Sequence, residues 1–251
     1  MGSDVINSDL YQEEYQPSFV DKWDELIDWE GRAAGEGTFY SNLLKEAGAS
    51  KILDAACGTG YHSVMLTQAG FDVLAADGAE EMLAKTRRNA EDRGVELPTQ
   101  LADWRTLSED IDGTYDAILC LGNAFTHLFS EEERVQALGQ FRKVLRPGGL
   151  LVLDQRNYDS MLDDGYSSKH QFYYTGNGVD AAPEEVTENF VRFRYSFPDG
   201  SEHHLTMCPI RQDYVTGLIT DAGFSQVRRF GDFSPDYELT ETDFIVQVAT
   251  A

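Results

Sequence analysis

The segment Asp54-Ala-Ala-Cys-Gly-Thr-Gly60 could bring the backbone close to a ligand. An apolar run over residues 51–56 leads into it and apolar residues at helical spacing follow, so we expect a strand, this loop and then a helix. Glycines such as Gly58 leave room for a ligand at the carboxyl end of a strand. Asp77 ends the next apolar run, where its carboxylate could accept hydrogen bonds from ribose hydroxyls. The set predicts a nucleoside site, although a structural turn would explain the glycines alone.

Two residues bear on which nucleoside this site would take. A dinucleotide fingerprint requires a third glycine, but Ser63 stands at that position. Asp54 would crowd a pyrophosphate, whereas it would tolerate the ammonium of an amino-acid tail. These features favour S-adenosyl-L-methionine as cofactor over NAD, which leaves an NAD-binding oxidoreductase as a distant alternative.

Polar residues also follow the next two predicted strands. After the strand at 98–102, Asp103 could bind the adenine amino group and Trp104 could stack beside the base, or they could be a surface acid beside a core aromatic. After the strand at 115–121, Asn123 could orient a substrate amine or simply stabilise a turn. His127 could contact the substrate or begin a helix.

Arg156 follows the predicted strand at 150–154 in a chain rich in acids. An arginine there could clamp a small carboxylate through two parallel hydrogen bonds. The residues alone favour a salt bridge to one of the many acids. The tyrosines further along are either polar-tipped walls of a pocket or ordinary strand aromatics: Tyr173, Tyr174 and Tyr195.

Alternating strands and helices over residues 51–154 predict an α/β open sheet that would position these residues. Ser130 followed by Glu133 predicts a capped helix before the fifth strand. Residues 155–208 change to β-like runs at 170–175, 188–197 and 202–208, which predict an antiparallel insertion. Strands at 227–230 and 244–249 then complete the sheet after a helix at 212–222. We divide the chain into an N-terminal tail and lid helices (1–48), a core (49–154), the insertion (155–210) and the rest of the core (211–251).

Within the first of these regions, apolar residues at helical spacing predict a helix at 19–29 and a second one that holds residues 39–44. The glycine-rich stretch at 31–37 is expected to be a joint between them.

The composition excludes several classes of protein. The chain has 251 residues, 44 of them acidic against 20 lysines and arginines, for a formal net charge of −24. Such a surface repels polyanions, so we expect no nucleic-acid partner. The apolar runs are far shorter than the ~18 residues of a membrane span, so we expect no membrane partner. The polar N-terminus predicts no leader, and the three isolated cysteines fit a reducing cytoplasm without a metal site.

Several segments together resemble the glycine N-methyltransferase family of class I methyltransferases. They are DAACGTG at 54–60, Asp77, ADW at 102–104, GNAFTHL at 122–128 and PGGLLVLDQRNYD at 147–159. Within the family, the chain is most similar to the glycine/sarcosine N-methyltransferases of salt-tolerant microbes that make betaine. The resemblance implies a Rossmann-like fold with an open, mostly parallel seven-stranded sheet, an N-terminal helical lid and an antiparallel β insertion.

The resemblance also implies roles for individual residues. Arg32 would hold the carboxylate of S-adenosylmethionine, Asp77 its ribose and Arg156 the glycine carboxylate. The other implied donor contacts are Tyr15, Trp23, Ala56, Asp103, Trp104 and Leu121, beside Gly58 of the loop. Asn123 and Tyr195 would complete the catalytic pocket, with Tyr174 and His127 as further substrate contacts. The short tail before Tyr15 leads us to expect a monomer or a weak homo-oligomer.

The implied reaction is in-line methyl transfer to the neutral amine of glycine, giving sarcosine and then N,N-dimethylglycine. A sarcosine/dimethylglycine N-methyltransferase on the same scaffold is the nearest alternative, and a regulator that only senses the donor is another. An acidic surface suits a salty cytoplasm, so we expect activity and stability to rise with moderate salt.

Overall fold

The computed structural model describes residues 6–168, 176 and 178–251. Four helices open the chain: α1 (Leu10–Glu14), α2 (Pro17–Ile27), α3 (Trp29–Glu36) and α4 (Phe39–Glu46). The predicted joint at 31–37 is wrong, because most of it is helical. Asp28 adopts a left-handed conformation (φ 38°) that ends α2, and its side chain accepts a hydrogen bond from the Gly31 N–H and caps α3.

The main sheet contains seven strands: β1 (Lys51–Asp54), β2 (Asp72–Asp77), β3 (Thr99–Leu101), β4 (Tyr115–Cys120), β5 (Leu145–Arg156), β9 (Ser225–Gly231) and β10 (Phe244–Thr250). Their order is β3-β2-β1-β4-β5-β10-β9. The first five strands pair in parallel, and β10 runs antiparallel to both of its neighbours. The open, mostly parallel sheet is therefore confirmed, with all carboxyl ends of β1 to β5 at one edge.

Helices cover both faces of this sheet. They are α5 (Tyr61–Gln68), α6 (Glu80–Asp92), α7 (Leu107–Asp110), α8 (Glu131–Val144), α9 (Tyr158–Asp163) and α10 (Gln212–Asp221), with 3₁₀ turns at Ala124–His127 and Leu239–Glu241. Apolar residues of the central strands, such as Leu53 and Leu151, are fully buried between the two layers. The Ser130 hydroxyl caps α8 by accepting from the Glu133 N–H, as the sequence pattern predicts. No helix among the described residues is long and apolar enough to cross a membrane.

Strand β5 is longer at both ends than the sequence suggests. The Pro-Gly-Gly segment after α8 was expected only to stop that helix, but it lies within β5 beside an irregularity in the register with β4. Backbone groups of Gly148 and Gly149 pair with Ala251 after β10, which supplies their hydrogen bonds. At the other end, Arg156 is the last residue of β5 and lies opposite Phe244 of β10.

A second, antiparallel sheet contains β6 (Asp180–Val186), β7 (Val191–Ser196) and β8 (Glu202–Met207). The antiparallel insertion is confirmed. Its strand β6 was not predicted, because Pro183 and three acids obscure the alternation of apolar residues. One face of the sheet packs on α2 through Phe19, Phe193 and Tyr195. The predicted strand at 170–175 lies outside the described residues.

Candidate active site

A large cavity opens at the carboxyl edge of the main sheet, between the N-terminal segment with helices α1 to α3 and the small sheet. Its empty volume is about 1330 Å³, including the part open to solvent. The cavity brings together the sequence-predicted site residues that the structure describes. They are Tyr15, Trp23, Arg32, Ala56, Gly58, Asp77, Asp103, Trp104, Leu121, Asn123, His127, Arg156 and Tyr195. Tyr174 lies outside the described residues.

The loop after β1 has the backbone that its glycines predict. Gly58 and Gly60 both have positive φ, at 55° and 93°. A Cβ on Gly60 would come within 2.8 Å of the Thr86 side chain, and the Thr86 hydroxyl donates to the Gly58 carbonyl at 2.7 Å. Contact with α6 therefore fixes the loop at the cavity wall.

Asp77 at the end of β2 presents a carboxylate to the same wall. Its oxygens accept backbone hydrogen bonds from Gly58 (2.9 Å) and Ala79 (3.0 Å). Burial raises the pKa of Asp77 to about 6, against the lowering effect of these hydrogen bonds. The group is an ionised acceptor above that pH, which suits it to bind hydroxyl donors such as those of a ribose.

Arg32 on α3 supplies a buried positive charge beside the loop. Its Nε lies 2.6 Å from Glu36 Oε1, and His62 Nε2 lies 2.9 Å from Glu36 Oε2. Although burial opposes it, the charges of His62 and Arg32 lower the pKa of Glu36 to about 2. Buried Glu36, with partly buried His62 beside it, holds Arg32 at the cavity, where it could bind a carboxylate.

Asp103 and Trp104 lie beyond β3 at the adjoining wall. Trp104 Nε1 donates to the Ala55 carbonyl at 2.6 Å, and its ring packs edge-on against Phe141 at 6.3 Å. Both carboxylate oxygens of Asp103 accept from Arg105 Nε at 3.0 Å. These contacts anchor an aromatic ring and an acceptor side by side, an arrangement that fits a purine base with an amino group.

The opposite wall of the cavity carries Arg156 at the end of β5. Its guanidinium lies 4.7 Å from the centroid of Phe193 and 5.1 Å from that of Phe244. Flanking rings restrict the plane of the guanidinium and stabilise its charge. Burial raises the pKa of the nearby Tyr195 phenol, so its hydroxyl stays protonated and can donate or accept.

Asn123 supports this wall from within. It adopts a left-handed conformation (φ 66°), and its Oδ1 accepts from the Arg156 backbone N–H at 3.0 Å. Its Nδ2 donates to the Tyr158 hydroxyl at 2.8 Å and to Met207 Sδ. The side chain therefore holds the turn after β4 against the end of β5.

His127 lies between the two walls, and its Nε2 is 3.0 Å from the Tyr15 hydroxyl. Burial lowers the pKa of His127 to about 4. The imidazole is consequently neutral at physiological pH, where it can share a hydrogen bond but carries no charge.

Sequence reasoning missed several residues of the cavity. Ser8, Tyr11, Arg105, Met207 and Phe244 all line it. Arg105 could have been suspected because it directly follows Asp103-Trp104, but the others carry no local signal. Within 6–168 and 178–251, no group of three or more His, Cys, Asp or Glu side chains is arranged to hold a metal ion.

Known proteins are similar to this chain in sequence and in fold. Residues 52–149 match the family described as "Methyltransferase domain". The glycine/sarcosine N-methyltransferase of Halorhodospira halochloris is 52% identical over 98% of this chain and 91% of its own length. That of Aphanothece halophytica is 50% identical over 98% of this chain and 93% of its own length.

This chain belongs to the glycine/sarcosine N-methyltransferase family. The family resemblance predicted from the sequence motifs is thus confirmed, and so is a methyltransferase as the class of enzyme. A solved S-adenosylmethionine-dependent methyltransferase from Clostridium acetobutylicum superposes with a TM-score of 0.71 over 93% of this chain and 97% of its own. At 16% identity it supports the fold alone, and the Rossmann-like prediction is confirmed by it.

A longer member of the family bears on substrate range. The glycine/sarcosine/dimethylglycine N-methyltransferase of Actinopolyspora halophila is 48% identical over 98% of this chain, which spans 44% of that protein. Members of this glycine/sarcosine N-methyltransferase family therefore differ in the amines that their names include.

Proposed function

We propose that this chain transfers methyl groups from S-adenosylmethionine to the amine of glycine and then of sarcosine, giving N,N-dimethylglycine. The observation that carries the proposal is Arg156, a cation flanked by two aromatic rings at the wall opposite the nucleoside-like half of the cavity. The family to which the chain belongs supports the same reaction.

The residues of the first wall fit the donor. Asp77 would accept from the ribose hydroxyls, Asp103 from the adenine amino group, and Arg32 would bind the donor's carboxylate. The remaining donor contacts that we propose are Tyr15, Trp23, Ala56, Gly58, Trp104 and Leu121, all of which line the cavity. When bound, S-adenosylmethionine supplies an electrophilic methyl group on a sulfonium.

The residues of the second wall fit a small amino acid. Arg156 would bind the carboxylate through two parallel hydrogen bonds, which fixes both the position and the plane of the substrate. The Tyr195 hydroxyl would direct the lone pair of the amine, and Asn123 would hold Arg156 and the turn in register. His127 and Tyr174 are proposed as further substrate contacts.

Positioning supplies most of the catalysis in this scheme. Holding two reactants in line can lower a barrier by ~7–11 kcal/mol, and displacement by an amine that is already neutral needs little acid–base catalysis. The N-terminal helices and the small sheet enclose the cavity and would exclude water.

The direct test is product analysis. Purified protein is incubated with S-adenosylmethionine and glycine, sarcosine or dimethylglycine, and the methylated amines are measured by mass spectrometry against a reaction without amine. We expect sarcosine and dimethylglycine from glycine. Turnover of dimethylglycine without glycine would favour the alternative sarcosine/dimethylglycine enzyme, and binding of NAD without S-adenosylmethionine would overturn the methyltransferase proposal.

We further propose that the reaction serves betaine synthesis in the cytoplasm of a salt-adapted cell, with the protein acting as a monomer or a weak homo-oligomer. The support is the net charge of −24, because added salt screens the mutual repulsion of so many acids. Activity and melting temperature, measured from low to moderate KCl, should both rise. A steady loss of both on adding KCl would contradict salt adaptation.

A further inference from the structure

The guanidinium of Arg105 joins three separate segments at the adenine end of the cavity. Its Nη2 lies 2.6 Å from Asp103 Oδ2 and 2.7 Å from Asp9 Oδ1, and its Nη1 lies 2.8 Å from Glu133 Oε1. These acids belong to the loop after β3, the segment before α1 and the first turn of α8. One side chain thus connects three parts of the chain that are far apart in sequence.

The contact with Asp103 fixes the orientation of a proposed adenine-binding group. Arg105 donates to it from Nε, Nη2 and its backbone N–H, the last at 2.8 Å. Because the Nε donor is shared between the two oxygens, the carboxylate has three N–H partners against about four acceptor positions, which leaves room for one further donor. The carboxylate cannot rotate without breaking these hydrogen bonds.

The contact with Asp9 fixes the edge of the cavity. The neighbouring Ser8 hydroxyl accepts from the Phe129 N–H at 2.7 Å and donates to Glu133, the second acid that Arg105 binds. Ser8 and Arg105 both line the cavity, and Ser8 is almost fully buried. Ser8 and Asp9 are therefore tied to the wall, and Arg105 supplies one of their polar attachments.

We propose that Arg105 is a positioning residue that aims Asp103 at the adenine amino group and so sets the preference for adenine over other purines. The proposal rests on the proposed function, because it assumes an adenosyl donor. Arginine is required since its planar fork of five N–H groups can bind three carboxylates at once, whereas a lysine ammonium is a point charge on a flexible stem.

The test compares two ligands that differ only in the base. S-adenosylhomocysteine offers an amino group to Asp103, whereas S-inosylhomocysteine presents a carbonyl oxygen that the carboxylate repels. Calorimetry with the wild-type protein should give at least tenfold tighter binding of the adenosyl ligand. In Arg105→Gln and Arg105→Lys we expect adenosyl binding to weaken about tenfold and the preference to fall to within about twofold of unity.

Two further variants separate the possible outcomes. Arg87→Gln removes an exposed ion pair to Glu80 on α6 and should leave both affinities unchanged. Asp9→Asn cuts only the N-terminal attachment and should weaken both ligands alike while it keeps the preference. If Arg105→Gln and Arg105→Lys also weaken both ligands by one factor, Arg105 is merely structural and the proposal fails. Wild-type protein that binds neither ligand would instead overturn the proposed function.

Discussion

The two walls of the cavity are built from the chain in different ways. The wall that we propose binds the methyl donor, the donor wall, contains Gly58, Asp77, Asp103 and Arg32. Three of these residues lie at the carboxyl ends of successive parallel strands: Asp77 is the last residue of β2, and Gly58 and Asp103 lie in the short loops after β1 and β3. The wall that we propose binds the amine, the acceptor wall, contains Arg156 and Tyr195. It joins the end of β5 to the small sheet through Asn123, Met207 and Phe193, which are distant in sequence. Local motifs thus encode the first wall, and tertiary packing assembles the second.

The walls also differ in charge. The donor wall combines carboxylates with arginines: backbone N–H groups hold Asp77, Arg105 holds Asp103, and Arg32 supplies a further cation. The acceptor wall presents Arg156 among aromatic rings and protonated phenols. In a chain with a net charge of −24, this cation gives a carboxylate substrate a local place to bind. Substitutions that affect one wall without the other therefore test whether the two walls bind different ligands.

Arg156→Ala should have the largest effect and should be confined to the acceptor wall. Loss of one partner of a buried, hydrogen-bonded charge pair costs about 2–5 kcal/mol, so kcat/KM for glycine should fall roughly 30- to 4000-fold. Steady-state kinetics measures this loss, and calorimetry should give S-adenosylhomocysteine affinity within about twofold of wild type. Near-normal turnover of Arg156→Ala at low glycine would refute binding of the glycine carboxylate by Arg156. The matched control is Arg88→Ala, which removes an exposed arginine and should leave turnover unchanged.

Glu36→Gln should destabilise the donor wall. Removing the charge that pairs with buried Arg32 should lower the free energy of unfolding at pH 7 by about 3–5 kcal/mol, measured by urea denaturation. The pKa of Glu36 is lowered from 4.5 to about 2, so its stabilising contribution is present above pH 4.5 and is lost as the pH falls toward 2. The deficit of the variant should shrink over that range.

A control distinguishes this effect from a general loss of negative charge. Glu30 lies on the same helix α3 but is exposed, so Glu30→Gln should change the free energy of unfolding by less than about 0.5 kcal/mol. A deficit in Glu36→Gln that stays constant down to pH 3 would contradict the buried ion pair as its cause.

Asp77→Asn should remove the pH dependence of S-adenosylhomocysteine binding, which we expect to arise from the donor wall alone. Because the pKa of Asp77 is about 6 in the free protein, wild-type affinity for S-adenosylhomocysteine should fall by up to tenfold per pH unit below about 6. At pH 8 the variant should bind roughly 10- to 150-fold more weakly, the worth of a hydrogen bond to a charged group. Calorimetry from pH 5 to 8 should show a flat profile for the variant, whereas exposed Asp72→Asn should keep the wild-type slope.

The sequence predicted the strand-end residues of the donor wall better than the contacts of the acceptor wall, because local motifs encode the first and tertiary packing assembles the second. A glycine loop after a strand and acids at the ends of the following strands are local patterns, and parallel pairing brings such ends to one edge. The residues alone favoured a salt bridge over a carboxylate clamp for Arg156, and the family resemblance then favoured the clamp. The contacts of Asn123 with Tyr158 and Met207 depend on packing between distant elements, and the helix within 31–37 depends on a cap by Asp28.

His127 belongs to both walls and should give the smallest effect. Its pKa is lowered to about 4 by burial, so it stays neutral from pH 6 to 8 and contributes only its hydrogen bond to Tyr15. Such a bond is worth about 0.5–1.5 kcal/mol, so His127→Gln should lower kcat/KM roughly 2- to 10-fold without changing the shape of its pH profile. His204→Gln, at a partly exposed ion pair on β8, should leave the rate unchanged. The contrary outcome would be a wild-type pH profile of kcat/KM that shows an ionisation near neutral pH which His127→Gln abolishes. The imidazole would then take up a proton during catalysis, which contradicts its role as a neutral hydrogen-bonding group.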